Sequence, residues 1–120
     1  MSESLVPANP AEELLTGERC YITELLNDKR APAASLARCR VRPGITTELH
    51  CLNVDEYYVI TDGHGVMELG DDKPFEVHPG NSVVIPAGTP QRIRNNGSKD
   101  LVFFCVCLPR FAPDCYRSLE

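Results

Sequence analysis

The sequence lacks an excess of positive charge and any long apolar run. Twelve lysine and arginine residues stand against seventeen aspartate and glutamate residues, for a formal net charge of -5. This balance argues against nucleic acids and anionic membranes as partners. No apolar stretch approaches the ~20 residues of a membrane-spanning helix, and the chain begins without the basic and apolar segments of a secretory signal. We therefore expect a cytoplasmic protein.

The six cysteines lack the arrangement of a disulfide framework. Most of them lie in apolar, strand-like runs, as reduced core thiols do. Cys105 and Cys107 point to the same face of a strand, but a single C-x-C pair is weak evidence for a zinc site. We expect reduced, mostly buried thiols, with Cys115 as the most exposed. The full set is Cys20, Cys39, Cys51, Cys105, Cys107 and Cys115.

Short β-favouring runs, separated by glycine, proline, asparagine and aspartate, fill the chain from Glu18 onward. A length of 120 residues, 42% of them hydrophobic and 24% charged, suits one globular domain. The pattern predicts an all-β sandwich or small barrel with room for one small ligand. The predicted strands are Cys20–Leu25, Ser35–Val41, Thr46–Leu52, Glu56–Thr61, Val66–Leu69, Phe75–His78, Ser82–Ile85, Arg92–Asn95 and Leu101–Cys107.

The chain divides into three predicted parts. Residues 1–17 form an N-terminal extension with a short helical turn, because Asn9 can cap the turn, Pro10 suits its first position and Gly17 can end it. Residues 18–108 form the β-barrel. Residues 109–120 form a tail that packs on the barrel or on a partner subunit.

Two gapped patterns follow one another along the chain. The first is Gly44, five residues, His50, then Glu56 and Gly63, and the second is Gly80, Pro86, Gly88, Gln91 and Asn95. In spacing they resemble the two motifs of the cupin superfamily, specifically the small single-domain type with one conserved barrel. The resemblance implies a double-stranded β-helix, which is a jelly-roll barrel, and a divalent metal in the barrel.

The motifs depart from the family pattern at two positions. Leu52 stands where the second histidine of the first motif belongs, and Gln91 replaces the histidine of the second motif. If the strand faces that carry them line the barrel, His50, Glu56 and Gln91 converge, and their nitrogen and oxygen donors suit Zn, Mn, Fe, Co or Ni. We therefore predict one divalent metal ion per chain, held by these three residues.

The alternative is a degenerate barrel that has lost its metal. In that case Glu56 would pair with Arg38 or Arg40, and Gln91 would be a polar wall. The other two histidines, His64 and His78, lie at or beside turns, where we expect exposed positions.

Glu48 and Tyr58 are the candidate catalytic residues. Glu48 shares the face of His50 and could be a general base, a fourth metal ligand or a solvated residue near the barrel mouth. Tyr58 shares the face of Glu56 and could offer its phenol to the pocket or simply pack there.

The leading functional hypothesis is a metal-binding cupin that acts on a small oxygen-bearing metabolite by Lewis-acid or acid–base chemistry, as an isomerase, cyclase or lyase does. The alternatives are a small-molecule-binding or sensor cupin without turnover, and an oxygen-dependent enzyme with an unusual iron site. Leu52 weakens the oxygen-dependent alternative because it cannot complete a site of two histidines and one carboxylate.

A homodimer is also predicted, since open jelly-roll barrels leave strand edges and apolar outer faces to be covered. The run Cys20–Leu25 and the tail segment Phe111–Tyr116 are the elements available for such an interface. The alternative is that both fold back on their own barrel.

Overall fold

A computed structural model describes residues 4–7 and 12–120, which form two antiparallel β-sheets. One sheet has the order β1-β2-β3-β10-β5-β8 and the other β11-β4-β9-β6-β7. A short 3-10 helix, Pro113–Cys115, precedes the last strand. The strands are β1 Leu14–Leu15, β2 Tyr21–Leu26, β3 Ser35–Val41, β4 His50–Leu52, β5 Asp55–Asp62, β6 Gly65–Leu69, β7 Phe75–Val77, β8 Ser82–Ile85, β9 Gln91–Arg94, β10 Leu101–Leu108 and β11 Tyr116–Ser118.

Alternating burial along the strands sets the inner and outer faces of the sheets. In β5, the side chains of Glu56, Tyr58 and Ile60 are buried while their neighbours are exposed. This period of two puts apolar side chains from both sheets into one core. Its largest fully buried apolar members are Phe103, Ile60, Met67, Ile85, Ile93 and Leu101.

All nine predicted strands are present, with small shifts at their ends. The predicted run Thr46–Leu52 is the most shortened, since β4 begins at His50 and Thr46 forms only an isolated bridge to Arg94. The all-β prediction is therefore confirmed.

The predicted helical turn over residues 9–17 is minor where the structure describes it: among residues 12–17, Glu12 alone has a 3-10 conformation. Leu14 and Leu15 form β1, which pairs with Ile22 and Tyr21 of β2, so this segment extends the sheet. The first residues of the predicted turn, Asn9 and Pro10, lie outside the described part of the chain.

The tail folds back onto its own barrel. Tyr116 pairs with Leu52 and Ser118 with His50, so β11 lies along β4 and forms the edge of this sheet. Cys115 is buried, contrary to expectation, because it packs against Leu52 and Cys107 beneath this strand.

In residues 4–7 and 12–120 we find no helix with the length and apolar character needed to span a membrane.

Candidate active site

A cavity of about 560 Å³ opens inside the barrel. Its walls come from β2 to β5, from β10, from the segment before β2 and from the tail. Four of the residues predicted from sequence line it or stand at its floor: Glu48, His50, Glu56 and Tyr58. The fifth, Gln91, is fully buried directly behind Glu56 and Tyr58.

The floor of the cavity is a chain of buried hydrogen bonds. The Tyr58 hydroxyl donates to Oε1 of Gln91 at 2.8 Å, and Nε2 of Gln91 donates to Oε1 of Glu56 at 2.7 Å. The Cys107 thiol lies 3.8 Å from the other oxygen of Glu56. Burial raises the pKa of the Glu56 carboxyl, and the hydrogen bond from Gln91 opposes that rise. Burial, reinforced by the charge of Glu56, raises the pKa of Tyr58 as well, so its hydroxyl keeps its proton.

His50 stands above this floor with one ring nitrogen directed into the cavity. Its Nδ1 lies 2.7 Å from the backbone oxygen of Glu48, so Nδ1–H is the donor and Nε2 carries the lone pair. The imidazole stacks on the ring of Tyr116, with centroids 4.7 Å apart and planes 14° from parallel. Burial lowers the pKa of His50, which favours the neutral ring at physiological pH.

Glu18 is the carboxylate that faces His50 across the cavity. Its Oε1 lies 3.9 Å from Nε2 of His50. Burial, followed by the charges of Glu56 and Glu48, raises the pKa of Glu18 to about 7. A carboxyl with this pKa exchanges protons near neutral pH, which suits a general acid or base.

The turn before β2 positions Glu18. Arg19 takes the unusual φ of 64°, and its guanidinium donates to both carboxylate oxygens of Glu120 at 2.8 and 3.2 Å. Its Nε donates to the backbone oxygen of Thr46 at 2.9 Å. The neighbouring backbone oxygen of Glu18 accepts from the amide of Glu48 at 3.0 Å. These bonds join the turn to the segment before β4 and to the chain end, leaving the Glu18 side chain on the cavity wall.

Glu18 and Tyr116 were not predicted as site residues because neither belongs to the two motifs. Tyr116 lies on β11, where its hydroxyl donates to the Glu48 carboxylate while its ring covers His50. A single acidic residue before a strand and a tyrosine in a tail carry no local signal. Only the pairing of β11 with β4 and the turn at Arg19 bring them to the site.

Comparison with protein families decides the assignment of the chain. The family model of the cupin domain matches residues 37–107, which is more than half of the 120 residues. This chain is a cupin. A curated relative, the uncharacterized protein MJ1618 of Methanocaldococcus jannaschii, is 35% identical over 109 residues and aligns over 88% of this chain and 86% of its own.

Solved structures share the fold of this cupin. A Cupin 2 conserved barrel domain protein from Salinispora arenicola superposes with a TM-score of 0.74 at 18% identity, covering 90% of each chain. A predicted oxalate decarboxylase from Thermotoga maritima superposes with a TM-score of 0.67 at 29% identity, covering 75% of this chain and 80% of that one. These likenesses agree with the double-stranded β-helix expected from the two motifs.

Proteins of the cupin family commonly bind a metal, so we tested whether the side chains fit one. His50 and Gln91 face each other in register, and Gln91 contacts Glu56. However, the Gln91 amide presents its nitrogen to Glu56 and engages its oxygen with Tyr58. In residues 4–7 and 12–120 no group of three His, Cys, Asp or Glu side chains is spaced to hold an ion. With the Gln91 amide in this orientation, the side chains of His50, Glu56 and Gln91 do not fit a metal ion.

Three other expectations about side chains have clear outcomes. The pairing of Glu56 with Arg38 or Arg40 is wrong, because both arginines lie on the outer face and pair with Glu13. His64 and His78 are exposed, as expected.

Proposed function

We propose that this cupin binds a small oxygen-bearing metabolite in its cavity and transforms it by acid–base chemistry, as an isomerase, cyclase or lyase does. One observation carries the proposal: Glu18, whose pKa is raised to about 7, faces the free nitrogen of His50 at 3.9 Å inside the cavity. A carboxyl that exchanges its proton near neutral pH, beside a neutral imidazole, can serve as the general acid and the general base of enolisation or elimination.

In the proposed reaction the two groups act on opposite ends of one bond system. Neutral His50 accepts a proton from a ligand carbon at Nε2, and protonated Glu18 donates a proton to the ligand's carbonyl or leaving hydroxyl oxygen. Transfer of the proton from the imidazolium to the Glu18 carboxylate then restores both groups. The step needs no oxidant or reductant.

The neighbouring residues hold the pair in place. The backbone oxygen of Glu48 fixes the tautomer of His50, and the ring of Tyr116 fixes its plane. Tyr58 and Gln91 hold the Glu56 carboxylate at the floor. In this proposal Glu48 and Tyr58, the two predicted catalytic residues, act as positioning residues.

A metal ion held by His50, Glu56 and Gln91 stays a prediction. It requires the Gln91 amide to turn its oxygen away from Tyr58, and no step of the proposed reaction depends on it.

A cupin that binds its ligand without turnover is the second candidate. The observation that favours it is the floor itself, where no buried nitrogen or oxygen of a described side chain lacks a hydrogen-bond partner. A floor whose polar groups are all hydrogen-bonded is a stable surface without any reactive group of its own.

Proton exchange with solvent distinguishes the two candidates. We would incubate the protein with aldoses, ketoses, hydroxyketones and aminoketones in D₂O and follow deuterium incorporation at carbon by NMR. We expect incorporation into at least one compound, slowed about 10²–10⁴-fold by Glu18→Gln and by His50→Gln.

The matched controls are Glu76→Gln and His78→Gln, which alter an exposed Glu–His pair 3.5 Å apart. These two variants should keep the exchange rate of the parent protein. Equal rates in all five proteins would contradict the roles of Glu18 and His50. Ligand binding without any exchange would favour the binding module.

A further inference from the structure

The charged side chains that line the cavity are all of one sign. Among the described residues of the lining there is no lysine and no arginine, and the only basic group is the imidazole of His50. Five carboxylates stand in this wall, namely Glu12, Glu18, Glu24, Glu48 and Glu56. A cleft lined by charges of one sign attracts ligands of the opposite sign.

Arginines close in sequence to the cavity wall are engaged outside it. Arg38, between the lining residues Ala37 and Cys39, pairs with Glu13. Arg19 follows Glu18 directly, yet its guanidinium binds the carboxylate of Glu120. Arg40 lies between inward-facing residues of β3, and its guanidinium binds Glu13 and Asp100. Arg110 donates to the side chain of Asn27. None of these arginines forms an ion pair with a cavity carboxylate, although the charges of Arg19 and Glu48 interact.

The electrostatic state of Glu18 reports the same imbalance. After burial, the causes of its raised pKa are the charges of Glu56 and Glu48. A positive charge seated between these groups would relieve the repulsion, whereas a second negative charge would increase it. Two aromatic side chains of the tail, Phe111 and Tyr116, also line the cavity.

We infer that the ligand of this cavity is a hydroxylated or carbonyl-bearing amine, whose ammonium group lies among the carboxylates of Glu18, Glu48 and Glu56 and which carries no phosphate or carboxylate. This inference rests on the proposed function only in taking the cavity as the ligand site. It separates this cupin from an enzyme for oxalate, the substrate named for its Thermotoga maritima neighbour, because a dianion would meet no guanidinium or ammonium among the described lining residues.

A matched ligand series tests the inference. Glucamine, sorbitol and gluconate share one polyol chain and differ only in carrying an ammonium, a hydroxyl or a carboxylate at the first carbon. We would measure their dissociation constants for the purified protein by ligand-observed NMR at pH 8 and low salt. We expect glucamine to bind at least tenfold more tightly than sorbitol, and gluconate not to bind at millimolar concentration.

Two variants test whether the preference for glucamine over sorbitol arises in the cavity. Glu18→Gln should reduce the preference for glucamine over sorbitol at least fivefold, and Glu76→Gln, which removes an exposed carboxylate, should leave it unchanged.

Equal affinities for the three compounds, tighter binding of gluconate, or no binding of glucamine would each overturn the inference. The deuterium exchange experiment does not depend on this series. Its failure would remove the proposed reaction while leaving the charge preference of the cavity standing, and the reverse outcome would remove the charge preference alone.

Discussion

At the scale of single residues, the cavity holds titratable groups in states that folding alone would not favour. Burial removes water from Glu18 and Glu56 and raises the pKa of both carboxyl groups. For the same reason the pKa of the His50 imidazole is lowered. Groups held in this way reduce the stability of the protein and are typical of functional sites.

The raised pKa of Glu18 predicts a pH-dependent effect of Glu18→Gln on stability. The unfolded chain releases this proton near pH 4.5 and the folded chain near 7, so the unfolded state binds fewer protons in between. The stability contributed by this group therefore falls as the pH rises from about 4.5 to 7, by roughly 3 kcal/mol. Glutamine does not titrate, so Glu18→Gln lacks this effect. The free energy of unfolding of the variant, relative to that of the parent, should therefore be higher at pH 8 than at pH 4.5.

Urea unfolding of both proteins at pH 4.5 and pH 8 measures the difference. A stability change that is the same at both values would mean that Glu18 titrates in the folded protein as it does in the unfolded chain. Glu76→Gln serves as the control for the removal of a carboxylate, since this side chain is exposed and lies outside the cavity.

The predicted metal site is tested at His50. If His50, Glu56 and Gln91 hold a divalent ion, protein purified without a His tag or added metal should contain one equivalent, and His50→Ala should contain none while remaining folded. Elemental analysis with circular dichroism measures both. Equal metal content in the two proteins, including none in either, would exclude His50 as a ligand.

At the scale of elements, the turns between strands fix how the two sheets close. Gly63, between β5 and β6, has a φ of 71°, and a Cβ placed there would lie 2.5 Å from the backbone oxygen of Asp100. Gly44 has a similar φ of 80° but open space around it. An alanine at Gly44 would therefore meet backbone strain alone, whereas an alanine at Gly63 would meet the same strain and a steric clash.

Gly63→Ala should destabilise the fold more than Gly44→Ala. The left-handed conformation costs about 1–2 kcal/mol in either variant. At Gly63 the backbone of Asp100 must also move, so we expect a total loss of about 3 kcal/mol or more there. Urea unfolding at one pH compares the two, and equal losses would show that the turn opens without resistance from β10.

At the scale of the whole molecule, the elements predicted to form a dimer interface pair with other strands of the same chain. β2 pairs with β1 and β3, and the tail pairs with β4, so both fold back within the chain. What the sheet leaves exposed instead is an apolar strip on its outer face. Tyr57, Val59 and Val84 are 40%, 38% and 63% exposed, and Val84 lies opposite Tyr57 on the edge strand β8.

The homodimer stays a prediction, and this strip is where we expect it to form. Light scattering at micromolar concentration should give the mass of two chains for the parent protein and of one chain for Val84→Asp. The control is Leu15→Asp, which changes an exposed leucine on β1 at the opposite edge of the same sheet. A parent mass of one chain would refute the dimer, and a Val84→Asp mass of two chains would refute this interface.

The sequence by itself determined the strands, the turns and the family. Alternation along a strand is a local property, which is why Glu56 and Tyr58 could be assigned to the inner face without a structure. Turn glycines such as Gly63 and Gly80 are local too, because only their own φ must be positive. The two motifs combine these local requirements at fixed spacing, so they identified the cupin barrel.

Only the tertiary structure decided which side chains meet in the cavity. Glu18 reaches His50 across more than thirty residues of sequence, and Tyr116 reaches it because β11 pairs with β4. Arg40 has the right charge for Glu56, but strand alternation points the two residues to opposite faces. The partner of a side chain depends on the order of strands in the sheets, and that order is fixed by the packing of the whole core rather than by any short segment.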